Sequence, residues 1–503
     1  MAIEPVFETV KTDSRISLGA VQTVVEARLL PPAGTIIARV LTIATDVTAE
    51  PSETFAGEVR FAGKVTFRVL FVGDEGKSHE TEYSADFSDK LQNDSITADV
   101  KPTVSAEVLD ADVTSVSGGE LKLAAVVETK VRADEGREIK YLESADVYVE
   151  ESEKPYCRLV ARGKASAEYA ATAENVKLRS IMLAEHKIVV SERSAGIDSV
   201  RISGVIISDV CGETEDGLIA SYRLETPFSE EWGADGASAG DAVFVCATVN
   251  GKENLESDGE TYTIDVAYGI GFDYSVYAPD RVNLVCDLFS SDRELLVRSE
   301  ETAIKVAKGG YTITDRVEGS VTLEVNMPLA DNILAATGTR LAVTNLLAND
   351  GEVLMEGIVS GSVIYYSAED NVTSSALVEL PFSITSRFDG ISAGDELFGK
   401  GTVVATALKI RRGNEIDIKA DIAVEIEATA PAAVTVITGV EEGEPIAKPT
   451  AAFSIHVTKK GETLWEASKA LGATPETIIA QNQGLTQPFE GGERIVVYRH
   501  LTE

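Results

Sequence analysis

Apolar and polar residues alternate along most of this chain, most regularly over residues 415–428. One side of this segment carries only apolar residues: Ile416, Ile418, Ala420, Ile422, Val424, Ile426 and Ala428. A period of two is typical of a half-buried β-strand with one face in water. Before it lies a β-rich run at 402–410, followed by Arg-Arg-Gly-Asn at 411–414, where Gly413 and Asn414 can adopt positive φ, so the two runs predict a hairpin.

The same order of segments occurs three times. Each copy has a glycine in an apolar run and a later aromatic residue, and the pairs are Gly63 with Phe87, Gly204 with Phe228, and Gly361 with Phe382. Each copy also has a leader that ends in an apolar turn, at Leu41, Met182 and Leu334. The spacings of 141 and 157 residues between successive glycines are too long for solenoid repeats, whose periods are roughly 20 to 50 residues.

The copies are therefore predicted to be whole domains in tandem. Strand-type alternation in all three indicates a mainly β fold, with antiparallel sheets packed into one core per domain. We place the domains at residues 1–154, 155–303 and 304–430. Beyond them the alternation ends among Pro, Gly and Glu residues, so residues 431–450 are predicted to be a linker that separates the last segment from the body.

Residues 451–503 have a different pattern, which predicts a small α+β module. A short strand at 453–457 precedes a helical run that ends at Leu471, and Thr474 can cap a second helix with Pro475 at its first position. A strand at 494–498 completes the order βααβ. Trp465 begins the first helix, and we expect it to cover the small antiparallel sheet as part of the module's own core.

Composition restricts the partners. The chain has 45 basic and 82 acidic residues, and its formal net charge of −37 disfavours nucleic acids and anionic lipids. Residues 1–20 have no basic segment followed by an apolar run, and no stretch of about 18 apolar residues occurs, so we expect a cytoplasmic protein without direct membrane insertion. Cys157, Cys211, Cys246 and Cys286 are widely spaced and are expected to be free thiols, with a Cys211–Cys246 bridge as the alternative.

We find no residue pattern typical of catalysis, metal binding or nucleotide binding. The four histidines lie apart from one another and from other candidate ligands, and no nucleophile-elbow, Walker or Gly-x-Gly-x-x-Gly motif occurs. Carboxylate pairs such as Glu50 and Glu53 are expected by chance among 82 acidic residues. We therefore expect no enzymatic activity, no metal site and no cofactor.

The terminal module resembles a LysM module. The resemblance rests on Lys-Lys-Gly-Glu-Thr-Leu-Trp at 459–465, Leu-Gly-Ala-Thr-Pro at 471–475, and the Ile and Asn at 478 and 482. The chain departs from the family at Glu462, at 467–468 and at 483–484. The resemblance implies that two loops carry the partner-binding or glycan-binding residues, with Glu462, Thr463 and Gln483 exposed. These site residues are Gly461, Glu462, Thr463, Leu464, Asn482 and Gln483.

The three repeats are similar to a domain that recurs in spore-coat assembly proteins of clostridia. Three such domains followed by a LysM module resemble the SipL family of coat morphogenetic proteins. This resemblance implies a non-enzymatic scaffold, a rigid rod or platform, that acts in the mother-cell cytoplasm at the forespore surface during coat and cortex assembly. Its implied partner is the morphogenetic ATPase of the coat's basement layer, with other coat proteins or further copies of the chain as additional candidates. The alternative function is binding of peptidoglycan-type or chitin-type glycans, which lie outside the expected compartment.

Overall fold

The computed structural model describes residues 3–31, 35–98, 100–115, 120–257, 261–446 and 452–498. Within these ranges the chain up to Pro445 is almost entirely β-strand, and every strand pair is antiparallel. The mainly β fold with antiparallel sheets in repeated units is therefore confirmed.

The strands of the body fall into three units of six. The first unit contains β1 (Val6–Leu29), β2 (Ile37–Phe55), β3 (Glu58–Gly73), β4 (Ser78–Gln92), β5 (Lys101–Ser115) and β6 (Leu121–Ser144). The second contains β7 (Tyr148–Val176), β8 (Leu178–Gly196), β9 (Ser199–Thr214), β10 (Ile219–Gly233), β11 (Ala242–Ser257) and β12 (Tyr262–Phe289). The third contains β13 (Arg293–Thr322), β14 (Asn332–Asn349), β15 (Glu352–Ser367), β16 (Val372–Arg387), β17 (Glu396–Arg411) and β18 (Glu415–Pro445).

Each unit is a sandwich of two three-stranded sheets with one topology. The sixth strand lies between the first and the fifth in one sheet, and the third lies between the second and the fourth in the other. The inner faces of the two sheets form one hydrophobic core per unit. The alternating positions predict the buried faces correctly, since Leu121 and Val127 in β6, Ile264 in β12, and Ile416 and Ile422 in β18 are all buried.

A glycine lies directly opposite a phenylalanine in the second sheet of each unit. The cross-strand pairs are Gly63 with Phe87, Gly204 with Phe228, and Gly357 with Phe382. A Cβ at Gly204 would lie 2.1 Å from the carbonyl oxygen of Val189 and 2.8 Å from the Phe228 ring, and the other two glycines are equally confined. The third repeat therefore aligns on Gly357. Our alignment on Gly361 was wrong by four residues because both glycines lie in the same apolar strand.

We expect Gly204→Ala to destabilise the protein by roughly 1 to 3 kcal/mol, because the added methyl group over-packs against backbone and ring atoms that have little room to move. Gly269→Ala in β12 is the matched control, because nothing lies within 4 Å of a Cβ built there. Urea unfolding of both variants measures the difference. Equal stabilities would contradict the tight packing of Gly204 against Val189 and Phe228.

The three units pack against one another instead of following one another end to end. Each unit contacts the other two, so the rod predicted as one option is excluded. The paired ends of β1 with β6, β7 with β12, and β13 with β18 form three ribbons that pack together, and we call this part of the body the stalk. Each ribbon places equivalent apolar residues in the stalk's core, which includes Leu142, Val285 and Ile437 in one layer and Tyr141, Leu284 and Val436 in the next.

The apolar turns predicted before each repeat are β-bulges. The register shifts in β2, β8 and β14 leave Leu41, Met182 and Leu334 without a cross-strand partner. A bulge redirects its side chain out of the sheet's regular alternation. All three residues join one apolar cluster that receives side chains from all three units, among them Leu70 and Ile364. The units are thus joined both along the stalk and between their second sheets.

The structure corrects the predicted linker at 431–450. Strand β18 continues to Pro445 and pairs with β13 over that length, and residues 447–450 lie outside the described ranges. The last β17 partner in this sheet is Glu396, opposite Thr429. Pro431 therefore lies where β18 has a neighbour on one side only, a position at which a strand tolerates proline. The sheets also place the unit boundaries at 145–147 and 290–292, so the boundaries predicted at 154 and 303 fall inside β7 and β13.

The predicted hairpin of β17 and β18 is present, with two corrections. Its tip uses positive φ at Arg412 and Gly413, and not at Asn414. The acidic face of β18 lies in water only over its first part, because Glu427 is buried with 9% of its surface exposed. The neighbouring units cover this part of the face, which the strand's own period cannot indicate.

Candidate functional site

The terminal segment forms a small separate module. It comprises β19 (Phe453–Val457), α1 (Leu464–Leu471), α2 (Pro475–Gln481) and β20 (Arg494–Tyr498), and β19 pairs antiparallel with β20. The order strand, helix, helix, strand is the predicted one. The module has its own core, in which Leu464 and Ile478 from the helices pack against Ile495 and Val497 from β20.

Most residues of the first predicted loop stabilise the module itself. Gly461 has a φ of 82° in the turn before α1. The carboxylate of Glu462 accepts hydrogen bonds from the Lys459 amide (2.6 Å) and from Nε2 of His456 (2.7 Å), and the residue is only partly exposed instead of fully so. Thr463 is exposed as predicted, but its hydroxyl caps α1 by accepting from the Glu466 amide at 3.1 Å. Leu464 is buried in the core.

The second predicted loop has one structural residue and one exposed residue. The Asn482 amide donates to the carbonyl oxygens of Ile478 (2.9 Å) and Val496 (2.7 Å), and its oxygen accepts from the Val496 amide at 2.8 Å. Asn482 therefore fastens α2 to β20. Gln483 is exposed, as predicted. In the first loop, the Gly461 amide donates to the carbonyl oxygen of Phe489. Asn482 of the second loop bonds Val496 of β20, so the two loops are held to different parts of the module.

The outer face of the module's sheet is an exposed, mainly apolar surface. Four side chains on this face are more than half exposed, with exposed fractions between 54% and 63%: Phe453, Ile455, Val457 and Tyr498. We call these four residues the sheet face. The inner face of the same sheet carries Ile495 and Val497, which the helices cover. The LysM-type motif pointed to the loops and gave no indication of the sheet face. The alternation of apolar and polar residues at 453–457 does indicate an apolar strand face.

Trp465 is buried, but not in the place that the sequence predicted. Its side chain is 9% exposed, its ring lies edge-on to Phe289 of β12 with centroids 5.1 Å apart, and its Nε1 donates to Oδ2 of Asp287 at 2.7 Å. Lys469, one helical turn further along α1, places its Nζ 2.8 Å from both oxygens of Asp287. Trp465 therefore covers the end of the stalk instead of the module's own sheet, and the module is docked on the body.

A cluster of charged residues is buried where the three units meet, and we call it the junction cluster. Glu427 of the third unit accepts from Arg15 (2.9 Å) and lies 2.6 Å from Nη1 of Arg132, and both arginines belong to the first unit. Arg15 also contacts Asp134 at 3.0 Å, and Asp134 in turn accepts from Ser275 of the second unit at 3.1 Å. Burial alone would raise the pKa of Glu427, but the two guanidinium groups hold it below its usual range.

A histidine in the second unit lies between a serine and a glutamate. Nδ1 of His186 is 2.8 Å from the Ser208 hydroxyl, and Nε2 is 3.5 Å from the Glu253 carboxylate. Ser208 has no exposed surface, and its hydroxyl is also 2.7 Å from that of Tyr268. The ring occupies space opened by Gly251, where a Cβ would come within 2.3 Å of it. These contacts suit a buried structural network, because no substrate could reach a serine hydroxyl enclosed in this way.

The cysteines and the clusters of acidic and histidine side chains in the described ranges add no further type of site. All four cysteines are free, so the alternative Cys211–Cys246 bridge is not formed. Among the residues that the structure describes, no group of three or more His, Cys, Asp or Glu side chains could hold a metal ion, and no helix is long and apolar enough to span a membrane. No protein-family model, no curated protein and no solved structure matches the chain.

Proposed function

We propose that the chain is a non-enzymatic scaffold of spore-coat assembly that acts at the forespore surface, and that its terminal LysM-type module docks onto the ATPase of the coat's basement layer. The sheet face is the observation that carries the proposal. Four apolar side chains with more than half of their surface in water, side by side on a small module, are typical of a protein-binding surface. Association with another protein would bury them.

The charge distribution supports docking through the module. Residues 451–503 contain five basic residues and six glutamates, whereas the whole chain carries −37, so the body holds almost all of the negative charge. A nearly neutral module can approach an acidic or neutral protein surface that the body would repel. The body supplies a rigid platform, because the units share apolar cores and a buried junction cluster.

Glycan binding is the alternative function, and the exposed Gln483 is the observation that favours it. Sugar recognition needs polar side chains that are free to bond hydroxyl and acetamide groups. Three of the predicted loop residues already form side-chain hydrogen bonds with backbone groups of the module: Glu462, Thr463 and Asn482. The sheet face offers one such group, the Tyr498 hydroxyl, beside the hydrocarbon side chains of Phe453, Ile455 and Val457, so its mainly apolar character favours a protein partner.

Two substitutions in the full chain separate these functions. Ile455→Arg places a charge in the centre of the sheet face and is expected to weaken binding to the purified basement-layer ATPase more than tenfold, which corresponds to about 1.4 kcal/mol. Ile479→Arg on α2 is the matched control, because Ile479 is 54% exposed against 55% for Ile455 but lies outside the sheet face. Gln483→Arg is expected to leave ATPase binding unchanged. Binding is measured by surface plasmon resonance.

The same variants are tested for co-sedimentation with purified peptidoglycan. If Gln483→Arg abolishes peptidoglycan binding while Ile455→Arg leaves ATPase binding at its original strength, the module is a glycan-binding domain and the docking proposal is wrong. We use Gln483→Arg without a change at Thr463, because replacing that threonine would remove the N-cap of α1.

A further inference from the structure

The only tryptophan of the terminal module is not used in that module's core. The core consists of residues such as Leu464, Ala467, Ile478 and Phe489, and the apolar partner of Trp465 is Phe289 of the second unit. A buried indole N–H requires an acceptor, and Asp287 supplies it. If the module left the body, its core would remain intact, and the Trp465 ring would become exposed.

The hydrogen bonds of Trp465 and Lys469 to the stalk converge on one carboxylate. Trp465 and Lys469 are four residues apart in α1 and therefore project from the same side of the helix. Both bind Asp287, at distances of 2.7 and 2.8 Å. Asp287 lies near the end of the stalk, directly after a register shift in β12 that follows Val285. It begins the last three residue pairs that β12 forms with β7.

The ion pair in this contact is weak. The side chains of Lys469 and Asp287 keep 40% and 36% of their surface exposed, and ion pairs with this exposure contribute little and are screened by salt. Seven residues separate Pro445, the last residue of β18, from Phe453, the first residue of β19, and Pro445 lies at the same end of the stalk as the N-terminal segment around Ile3. A short connection returns the module readily to its docking position, because it keeps the effective concentration high.

We propose that Asp287 is a reversible latch that holds the terminal module on the stalk and, in the closed state, hides the Trp465 face of the module from any partner. The sheet face remains exposed in this closed state. The latch is a property of the chain alone, so the proposed docking partner is not needed to test it. Removing the carboxylate, or screening its charge, opens it.

The test uses the full chain with the substitution Trp232→Phe. Of the two tryptophans in the sequence, only Trp465 then remains to give fluorescence. Acrylamide quenching of its fluorescence is compared between this parent protein and Asp287→Ala. Asp280→Ala is a closely matched control, because Asp280 lies in the same strand and, like Asp287, accepts a hydrogen bond from the amide of the next residue (2.8 and 2.9 Å). Its side-chain partners, Tyr156 and Arg158, belong to the second unit and not to the module.

We expect Asp287→Ala to increase the quenching constant at least threefold and Asp280→Ala to leave it unchanged. Sodium chloride at 1 M should increase quenching in the parent but not in Asp287→Ala, which is already open. Lys469→Met changes the module side of the contact and should increase quenching as well, so the test does not depend on the folding of one variant. If Trp465 stays as protected in Asp287→Ala and Lys469→Met as in the parent, the latch does not exist.

Discussion

Glu427→Ala is expected to destabilise the body by about 3 to 5 kcal/mol, because it leaves two buried guanidinium groups without their shared carboxylate. Arg15 and Arg132 are almost completely buried, and each contacts Glu427 within 3 Å. Glu318→Ala is the control in the same sheet: Glu318 pairs with Lys419, both side chains are more than half exposed, and its loss should have almost no effect. Urea unfolding at pH 7 measures both variants, and similar results for the two would contradict the importance of the junction cluster.

The effect of Glu427 should also depend on pH in a definite direction. Its pKa is lowered in the folded protein by Arg132 and Arg15, in spite of burial. A carboxylate with a lowered pKa contributes stability that is fully present above its unfolded pKa and is lost as the pH falls through its folded pKa. The difference between the original protein and Glu427→Ala should therefore be largest near neutral pH and should shrink in acid. A difference that grows in acid would contradict the assigned contacts.

Ile422→Asp is expected to cost at least about 4 kcal/mol, because it places a carboxylate in the core of the third unit without a partner. Ile422 is 1% exposed in the middle of β18. Asp421→Asn, one residue earlier and on the opposite face, is the control, since Asp421 is 43% exposed and pairs with Arg316 at the surface. The core of the terminal module consists of the module's own residues, from Leu464 to Val497, and should keep its own stability.

The alternation of residues was sufficient to predict the strands and their inner faces. Ile416 to Ala428 line the core of the third unit as expected, because a period of two follows directly from strand geometry. The alternation of apolar and polar residues shows only that the two faces of a strand differ in polarity. It does not show whether water or another part of the protein covers the polar face. Glu427 was therefore assigned to water, although it is buried against Arg15 and Arg132 of the first unit.

The same limit explains the errors at the ends of the units. The apolar core residues of the stalk face the other two ribbons. Beyond Thr429, strand β18 also contains Pro431 and Gly439. In a single domain these residues would end a strand, but here a two-stranded ribbon tolerates them and packs against two others. Trp465 was correctly expected to be buried, and its partner was missed because Asp287 and Phe289 are distant in the sequence.

The site on the module could be predicted only in part. Local sequence rules placed the cap of the second helix correctly, since Thr474 caps α2, but they missed that Thr463, predicted as a binding residue, caps α1. They could not show that the side chains of Glu462 and Asn482 form hydrogen bonds with the module's own backbone. Nor could they show which face of β19 the helices leave uncovered, because that depends on the packing of β20.

Differential scanning calorimetry of the full chain and of Ile422→Asp tests most directly whether the three sandwiches act as one body with a separate terminal module. Shared clusters along the stalk and between the second sheets predict a single cooperative transition for all three units. Ile422→Asp should move this entire transition to lower temperature and leave the transition of the module in place. If the variant instead loses only about a third of the body's unfolding enthalpy while the first two units melt unchanged, the units are independent domains and the description of one body is wrong.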